Sequence, residues 1–355
     1  MLAVRVASGL QGGTAVSPYS DARPDQASLI SALANYAQPN DRASGLQLAG
    51  AIVLFVGCWA AAYLALRVSL LLGLALTLPA AGLMIRIFVL QHDCGHGALF
   101  RSARANAVAG TLCSVFTFTP FAHWRRQHAR HHGSWNNLDR RRSGLDIYSD
   151  CRTVREYRQL SPMRRLAYRL MRHPIVAHLI IPPMIFLLLY RTPFDTPKGW
   201  RRERRSVHVT NLAILAQAVC IGGLLGFGSV AIIELTTLLM ASIGGVWLFA
   251  LQHKFEGVNW VRQPEWNLTA ASLTGASCLR LPVVLQWFTG NIGFHHIHHL
   301  NPRVPNYRLQ EAYEALPRLR AATTLGLLGG LRAVRYVRWD ETQAKLVRFR
   351  DVAAA

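Results

Sequence analysis

The sequence has few acidic residues: 18 Asp and Glu stand against 39 Lys and Arg, a formal net charge of +21 at pH 7. Nevertheless, 51% of its residues are hydrophobic. A soluble domain so apolar would rarely be this basic, whereas a membrane protein with a basic cytosolic face explains both values. A nucleic-acid partner would also explain the charge, but the basic residues flank apolar segments and no nucleic-acid-binding motif occurs. We therefore expect no nucleic-acid partner.

Several motifs with well-defined chemistry are missing. The six cysteines form no CxxC motif, which argues against a zinc ribbon or an internal iron–sulfur cluster. The sequence also lacks a serine nucleophile elbow, a GxGxxG after a strand and a P-loop, the usual signatures of hydrolases and nucleotide-binding enzymes. Residues 1–25 contain no cleavable apolar core, so we expect residues 1–24 to be a poorly ordered segment and not a secretory signal.

Long apolar runs are present. Four have about the length needed to cross a bilayer: 49–66, 70–90, 207–227 and 230–250. Arg67 is the only Lys or Arg in the two predicted outer hairpins, and nearly all the others fall on the opposite side. By the positive-inside rule, that opposite side is cytoplasmic and holds both termini.

Histidines are concentrated in three motifs beside these runs, HDCGH, HARHH and NIGFHHIHHL. Within each motif, the spacing of i, i+4 or of i, i+3, i+4 places the histidines on one face of a helix. The motifs supply eight candidate metal ligands: His92, His96, His128, His131, His132, His295, His298 and His299. Eight imidazoles exceed the need of one tetrahedral zinc and suit two metal ions that keep open positions.

Other residues near these motifs are weaker candidates. His253 ends the fourth predicted span and is a candidate ninth ligand, whereas His296 faces away from its neighbours and is not expected to bind metal. Asp93, Asn137 and Asp139 are candidate hydrogen-bond acceptors for ligand N–H groups, or simple cap and turn residues. Asn291, one turn before His295, is a candidate for holding a metal-bound water. The remaining histidines are expected to be ordinary polar residues: His123, His173, His178 and His208.

A shared metal site restricts the topology. Segments 105–122 and 175–190 are apolar, but either one crossing alone would leave histidine motifs on opposite sides of the membrane. We therefore expect both to be interfacial or re-entrant. The resulting fold class is an all-α integral membrane protein, in which four transmembrane helices carry a cytosolic helical cap that holds the histidines. We assign the membrane domain to residues 25–320, followed by a basic segment, 321–355, without an assigned role.

Placed at the inner mouth of four spans, such a site points to oxidation of hydrocarbon chains. An iron pair held by neutral imidazoles activates dioxygen when electrons are supplied, and no side-chain acid or base removes hydrogen from an unactivated methylene. Trp124, Trp260 and Trp287 are candidates for lining an apolar substrate tunnel, although Trp260 and Trp287 could instead sit at the membrane interface.

These motifs resemble those of the membrane fatty acid desaturases, most closely the bacterial acyl-lipid, delta-12-type branch. The resemblance rests on HDCGHGALF, HARHH followed by NNLDRR, QHKFE and NIGFHHIHHLNPRVPNYRL, and runs from about residue 25 to 316. It implies an oxygen-dependent di-iron enzyme that forms a double bond in a lipid-linked or thioester-linked acyl chain. It also implies that His253 is a ligand. Trp135 departs from the pattern, because a smaller residue is expected there.

The resemblance further implies an external electron donor, since the HPGG haem signature of a fused cytochrome b5 domain is absent. A ferredoxin is the expected donor, with cytochrome b5 as an alternative. The enzyme itself is expected in a bacterial inner membrane. Fatty acyl hydroxylation and carotenoid ketolation or hydroxylation remain open on the same scaffold. A membrane metal-binding or transport protein is a more distant alternative, since its ligands should lie along a path within the spans. Another is a zinc-dependent hydrolase, which would need fewer ligands and a carboxylate base; Asp93 is a weak candidate.

Overall fold

Helices make up most of the described chain, residues 23–141 and 151–351 of the computed structural model. In chain order they are α1 (Arg23–Ala34), α2 (Asp41–Leu66), α3 (Leu70–His96), α4 (Ala103–Thr117), α5 (Phe121–Ser134), α6 (Val154–Arg158), α7 (Pro162–Met171), α8 (Ile181–Leu187), α9 (Arg201–Leu225), α10 (Phe227–His253), α11 (Leu268–Gly275), α12 (Val283–Phe288), α13 (His295–Leu300), α14 (Leu309–Ala315) and α15 (Leu327–Ala333). Five short strands accompany them: β1 (Arg152–Thr153), β2 (Cys278–Leu279), β3 (Thr324–Leu325), β4 (Arg338–Asp340) and β5 (Lys345–Val347).

Four helices, α2, α3, α9 and α10, are long and apolar enough to cross a membrane. They correspond to the four predicted spans, so their number is confirmed, although the third ends at Leu225 and not at residue 227. The turn between α9 and α10 is shorter than expected, because it consists of Gly226 alone, at φ 93°. A side chain at that φ would be strained, which suits glycine. At their other ends α3 and α10 continue past the predicted spans to His96 and His253.

Two apolar segments are bent and do not form single straight spans. Helices α4 and α5 meet at 101°, because Phe118 adopts a left-handed conformation and Pro120 caps α5. The bend returns α5 to the end of α3, where the rings of His92 and His128 are 4.7 Å apart. The second segment, α7 with the stretch up to Arg191, bends by 55°. Each bent pair is either a broken span or a re-entrant segment, so the expectation that neither segment crosses alone stays a prediction.

The remaining elements form a cap over the histidine-bearing helix ends. Strand β1 pairs in parallel with β4, which pairs antiparallel with β5, and β2 pairs in parallel with β3. Residues after 320 are therefore built into the cap, and Trp339 packs in one cluster with Trp135. The strands are only two or three residues long, so no alternation of apolar and polar residues in the sequence could have predicted them. The expected poor order of residues 1–24 falls almost wholly outside the described residues.

Candidate metal centre

Four helices bring the nine predicted ligands together. His92 and His96 lie on the last turns of α3, and His253 is the last residue of α10. One face of α5 supplies His128, His131 and His132, and α13 supplies the other three: His295, His298 and His299. All nine are buried or half-buried. The histidines on the last turns of α3 and α10 meet those of α5 and α13.

The histidines form two adjacent groups. In the first group, one ring nitrogen of each residue lies within 4.8 Å of all the others; its members are His92, His96, His128, His132 and His298. The second group contains His131, His253 and His299 within the same limit. His295 joins it, because its Nε2 lies 2.9 Å from Nε2 of His253 and 3.1 Å from Nε2 of His299.

The donor atoms of these groups fit metal ions. Nε2 of His132 lies 3.1 Å from Nε2 of His128 and 3.0 Å from Nε2 of His298. A ring nitrogen holds either one proton or one lone pair, so it satisfies only one of these contacts. Nε2 of His92 and of His96 is buried without a hydrogen-bond partner among the described residues. Burial, reinforced by neighbouring imidazoles, holds the pKa of His298 well below its ordinary value. Its ring is therefore neutral, as a metal ligand must be.

Asp93 orients His92 of the first group through the ring nitrogen Nδ1. Its Oδ1 lies 3.2 Å from Nδ1 of His92, and its Oδ2 accepts hydrogen bonds from the backbone N–H and the side-chain amide of Asn306 at 2.8 and 2.9 Å. A proton held on Nδ1 leaves Nε2 of His92 as the ligand atom. Sequence reasoning missed Asn306, although it lies in the LNPRVPNYRL stretch that follows the third motif.

We expect Asp93→Asn to weaken metal binding and activity about 10- to 100-fold, as is typical for a residue that orients a ligand. The carboxylate accepts from three donors, whereas an asparagine amide offers one acceptor oxygen and two further donors. Metal content measured by mass spectrometry, with activity measured in parallel, tests this. Asp139→Asn is the matched control, and equal losses in both variants would contradict the role of Asp93.

An apolar cavity of about 190 Å³ opens onto both groups. Its wall includes His92 and His128 of the first group and His131 and His295 of the second. The other lining residues come mainly from α3, α5, the segment around α8, and α10; they include Phe88, Trp124, Ile185, Tyr190, Gly245 and Phe249. On α10 the lining runs from Leu238 to Gln252, a distance of about 21 Å at the helical rise per residue. The cavity thus follows the membrane helices away from the histidines.

Comparison with known proteins identifies the family. The sequence pattern of the fatty acid desaturases matches residues 67–326. The chain belongs to the fatty acid desaturase family. A fatty acid desaturase of Bacillus subtilis (strain 168) is 39% identical over 327 residues, which cover 92% of each chain. The enzyme is therefore an oxidoreductase, as the motifs predicted.

Two plant desaturases are more distant. The temperature-sensitive sn-2 acyl-lipid omega-3 desaturase (ferredoxin) of Arabidopsis thaliana chloroplasts is 27% identical over 64% of this chain and 53% of its own length. The acyl-lipid omega-3 desaturase (cytochrome b5) of the Arabidopsis endoplasmic reticulum is 26% identical over 64% of this chain and 59% of its own. This desaturase thus spans between half and two thirds of each plant protein.

The tryptophans predicted to bind substrate occupy different places in the desaturase. Trp124 lines the cavity and stacks on His128, with ring centroids 4.7 Å apart. Trp260 and Trp287 lie outside the lining of this cavity, and their predicted contact with substrate stays a prediction. Trp260 packs on Trp135 inside the cap, whereas Trp287 is 43% exposed beneath the guanidinium of Arg86. The residues next to each tryptophan in the sequence do not indicate whether its ring turns toward the cavity, the cap or the surface.

Trp135, at a position where a smaller residue was expected, packs against the second histidine group. Its ring centroid lies 4.1 Å from that of His253 and 5.2 Å from that of His131, and its Nε1 donates to the carbonyl of Gly275. The large side chain therefore fills the space behind two predicted ligands.

Two of the polar candidates contact other partners. Asp139 is at the surface, where it accepts hydrogen bonds from Arg262 and the backbone of Gln263, and these lower the pKa of its carboxyl. It is therefore not placed to accept from a ligand N–H, contrary to the prediction. Asn291 accepts from Gln286 and donates to the carbonyl of Asn306. Asn291 thus reaches the first group only indirectly, through Asn306 and Asp93, and its predicted role with a metal-bound water stays a prediction.

His296 lies outside both histidine groups although it is fully buried. Its ring contacts Tyr313 at 5.9 Å between centroids, and burial lowers its pKa to about 4. Helical geometry explains the separation, since His296 projects about 100° away from His295.

Proposed function

We propose that this enzyme introduces a double bond into a lipid-linked fatty acyl chain, in the delta-12 manner, at a centre of two iron ions. The observation that carries the proposal is the opening of one apolar, membrane-directed cavity onto both histidine groups. A metal-transport protein would need its ligands along a path through the spans, whereas here they gather at one end of the helices.

The nine histidines are the proposed iron ligands, five in the first group and four in the second. Neutral imidazole suits iron and leaves its positive charge uncompensated. When bound, the iron pair supplies dioxygen activation, which the side chains alone do not provide. Zinc favours four-coordinate sites, and nine imidazoles arranged as five and four exceed what such sites need.

The chain's own residues position the substrate and the ligands. Apolar side chains from α3, α8 and α10 hold an extended acyl chain and exclude water from the methylenes beside the histidines. Trp124 forms part of that wall and stacks on His128. Asp93 fixes the proton of His92 on Nδ1. Positioning by these residues decides which pair of methylenes reacts.

The reaction needs an electron source outside the chain. One –CH2–CH2– unit, one dioxygen, two electrons and two protons give one –CH=CH– unit and two waters. We propose a ferredoxin as the donor, with cytochrome b5 as the second candidate, since relatives are named with one or the other. We further propose that the histidines and both termini face the cytoplasm of a bacterial inner membrane, following the asymmetry of Lys and Arg around the spans.

Lipid profiling tests the proposal. The chain is expressed in a host that contains oleate and a working ferredoxin or cytochrome b5 system, beside the variant His132→Ala, and its acyl chains are analysed by gas chromatography–mass spectrometry. We expect new dienoic chains that are absent in the variant, and their fragmentation gives the double-bond position. Hydroxylated chains would instead support the hydroxylase alternative. No new lipid, with the donor shown to work, would contradict an acyl substrate.

A further inference from the structure

Helix α5 has a basic, exposed face behind its histidines. Arg126 and Arg130, one turn apart, project about 180° from His128 around the helix axis, and both are exposed. The exposed Arg125 stands three residues before His128, so it lies nearer the histidine side of α5 than Arg126 and Arg130 do. It borders α3, since a Cβ added to Gly95 would lie 3.8 Å from its Cγ. The basic face therefore belongs to α5, the helix that carries three of the nine predicted ligands.

Trp200 holds the two arginines in place. Its ring lies between them, with the guanidinium carbons 3.9 Å (Arg126) and 4.4 Å (Arg130) from the ring centroid. Glu203 lies 3.8 Å from Arg126 and is 15% exposed, so it helps to orient this arginine and offsets part of its charge. Guanidinium groups stacked in this way lose less conformational freedom when they bind a partner. We name Arg126, Arg130 and Trp200 the arginine patch.

More positive charge surrounds the arginine patch. Lys198, Arg201, Arg202 and Arg205 are all exposed beside Trp200. The nearest acidic side chains, Asp195 and Glu203, are mostly buried, at 18% and 15% exposed. Clustered arginines next to a tryptophan are the residue types enriched at protein interfaces. The charge selects an acidic partner.

The arginine patch is also close to the histidines. An α-helix with its side chains is about 10–12 Å across, so only the thickness of α5 separates a partner seated there from His128, His131 and His132. Electron transfer requires such nearness, whereas binding of a lipid headgroup gains nothing from it. This favours an electron carrier over a phospholipid, although Trp200 precedes a membrane-length helix.

We propose that the arginine patch is the docking surface for an acidic one-electron carrier protein. The inference rests on the proposed function. Two carriers dock in turn, and each is oxidised by one electron. The two electrons, with two protons from solvent, complete the reduction of dioxygen to water alongside removal of two hydrogens from the acyl chain.

Charge reversal tests the proposal on the iron-loaded full chain in phosphatidylcholine nanodiscs. The probe is a plant-type [2Fe–2S] ferredoxin, whose equilibrium binding is measured without substrate, together with the anaerobic rate at which it reduces the iron. Arg126→Glu/Arg130→Glu is compared with Arg155→Glu/Arg164→Glu, which makes the same charge change at exposed positions of α6 and α7. We expect the first pair to weaken binding about tenfold or more, as close charge pairs at interfaces do, and the second to change it less than about threefold.

Three results would overturn the docking proposal. Equal weakening by both pairs would mean that only the net charge attracts the carrier, and unchanged binding in both would exclude the arginine patch. If the first pair instead impaired only association with phosphatidylglycerol in mixed nanodiscs, the arginine patch would bind lipid headgroups. Because carrier binding is read without turnover, failure of the desaturation assay and failure of docking are distinguishable.

Discussion

His298→Ala is expected to remove iron from the enzyme and to abolish formation of the double bond. His298 is buried, and its Nε2 faces Nε2 of His132 at 3.0 Å in the first histidine group. Residues that merely orient a ligand change metal affinity about 10- to 100-fold, so loss of a ligand should cost at least about a hundredfold. Iron per folded chain is measured by mass spectrometry after size-exclusion chromatography, and dienoic lipids are measured in parallel.

His296→Ala is the matched control for this experiment. Both histidines lie on α13 and are buried, at 0% exposed for His296 and 1% for His298, but His296 lies outside both histidine groups. Each substitution leaves a cavity and lowers the free energy of unfolding. Only His298→Ala should also remove iron. Equal iron loss in both variants would indicate a folding defect, and full retention of iron by His298→Ala would contradict its assignment as a ligand.

Gly245→Phe is expected to suppress desaturation by at least about a hundredfold while iron stays bound. Gly245 lines the cavity, and an added Cβ would lie 4.0 Å from Cγ1 of Ile85, so there is room for one methyl group. A phenyl ring must extend into the space proposed for the acyl chain. Displacement of a reacting group by 1 Å costs about a hundredfold in rate, and a ring displaces the chain further. The readouts are the yield of unsaturated lipid and the iron content.

Two variants separate blockage of the cavity from damage to the helix. Gly245→Ala should keep most of the activity, because its methyl group makes only an ordinary contact. Gly57→Phe places the same ring in another membrane helix where an added Cβ meets nothing within 4 Å, and it should retain activity. Unimpaired desaturation by Gly245→Phe would show that the substrate does not occupy this cavity.

The candidate ligands were predictable because helical spacing is a local property. His92 and His96 are one turn apart, and any helix through them puts both on one face. The lengths of the four apolar runs were equally informative, since a bilayer sets the length of a span. The argument that segments 105–122 and 175–190 do not cross alone also needed no coordinates, because one metal site requires its ligands on one side.

Other features depended on contacts between distant parts of the chain. The pairing of Asp93 with Asn306 joins residues 213 positions apart, and the division of the histidines into groups of five and four depends on how α13 packs against α5. Trp260 turns into the cap and Trp124 into the cavity, although both are simply tryptophans near a histidine motif. The sequence by itself determined the candidate ligands and the four membrane-length helices, because periodicity and length act locally. The tertiary structure alone decided the partners of Asp93 and the walls of the cavity, because packing sets which faces of separate helices meet.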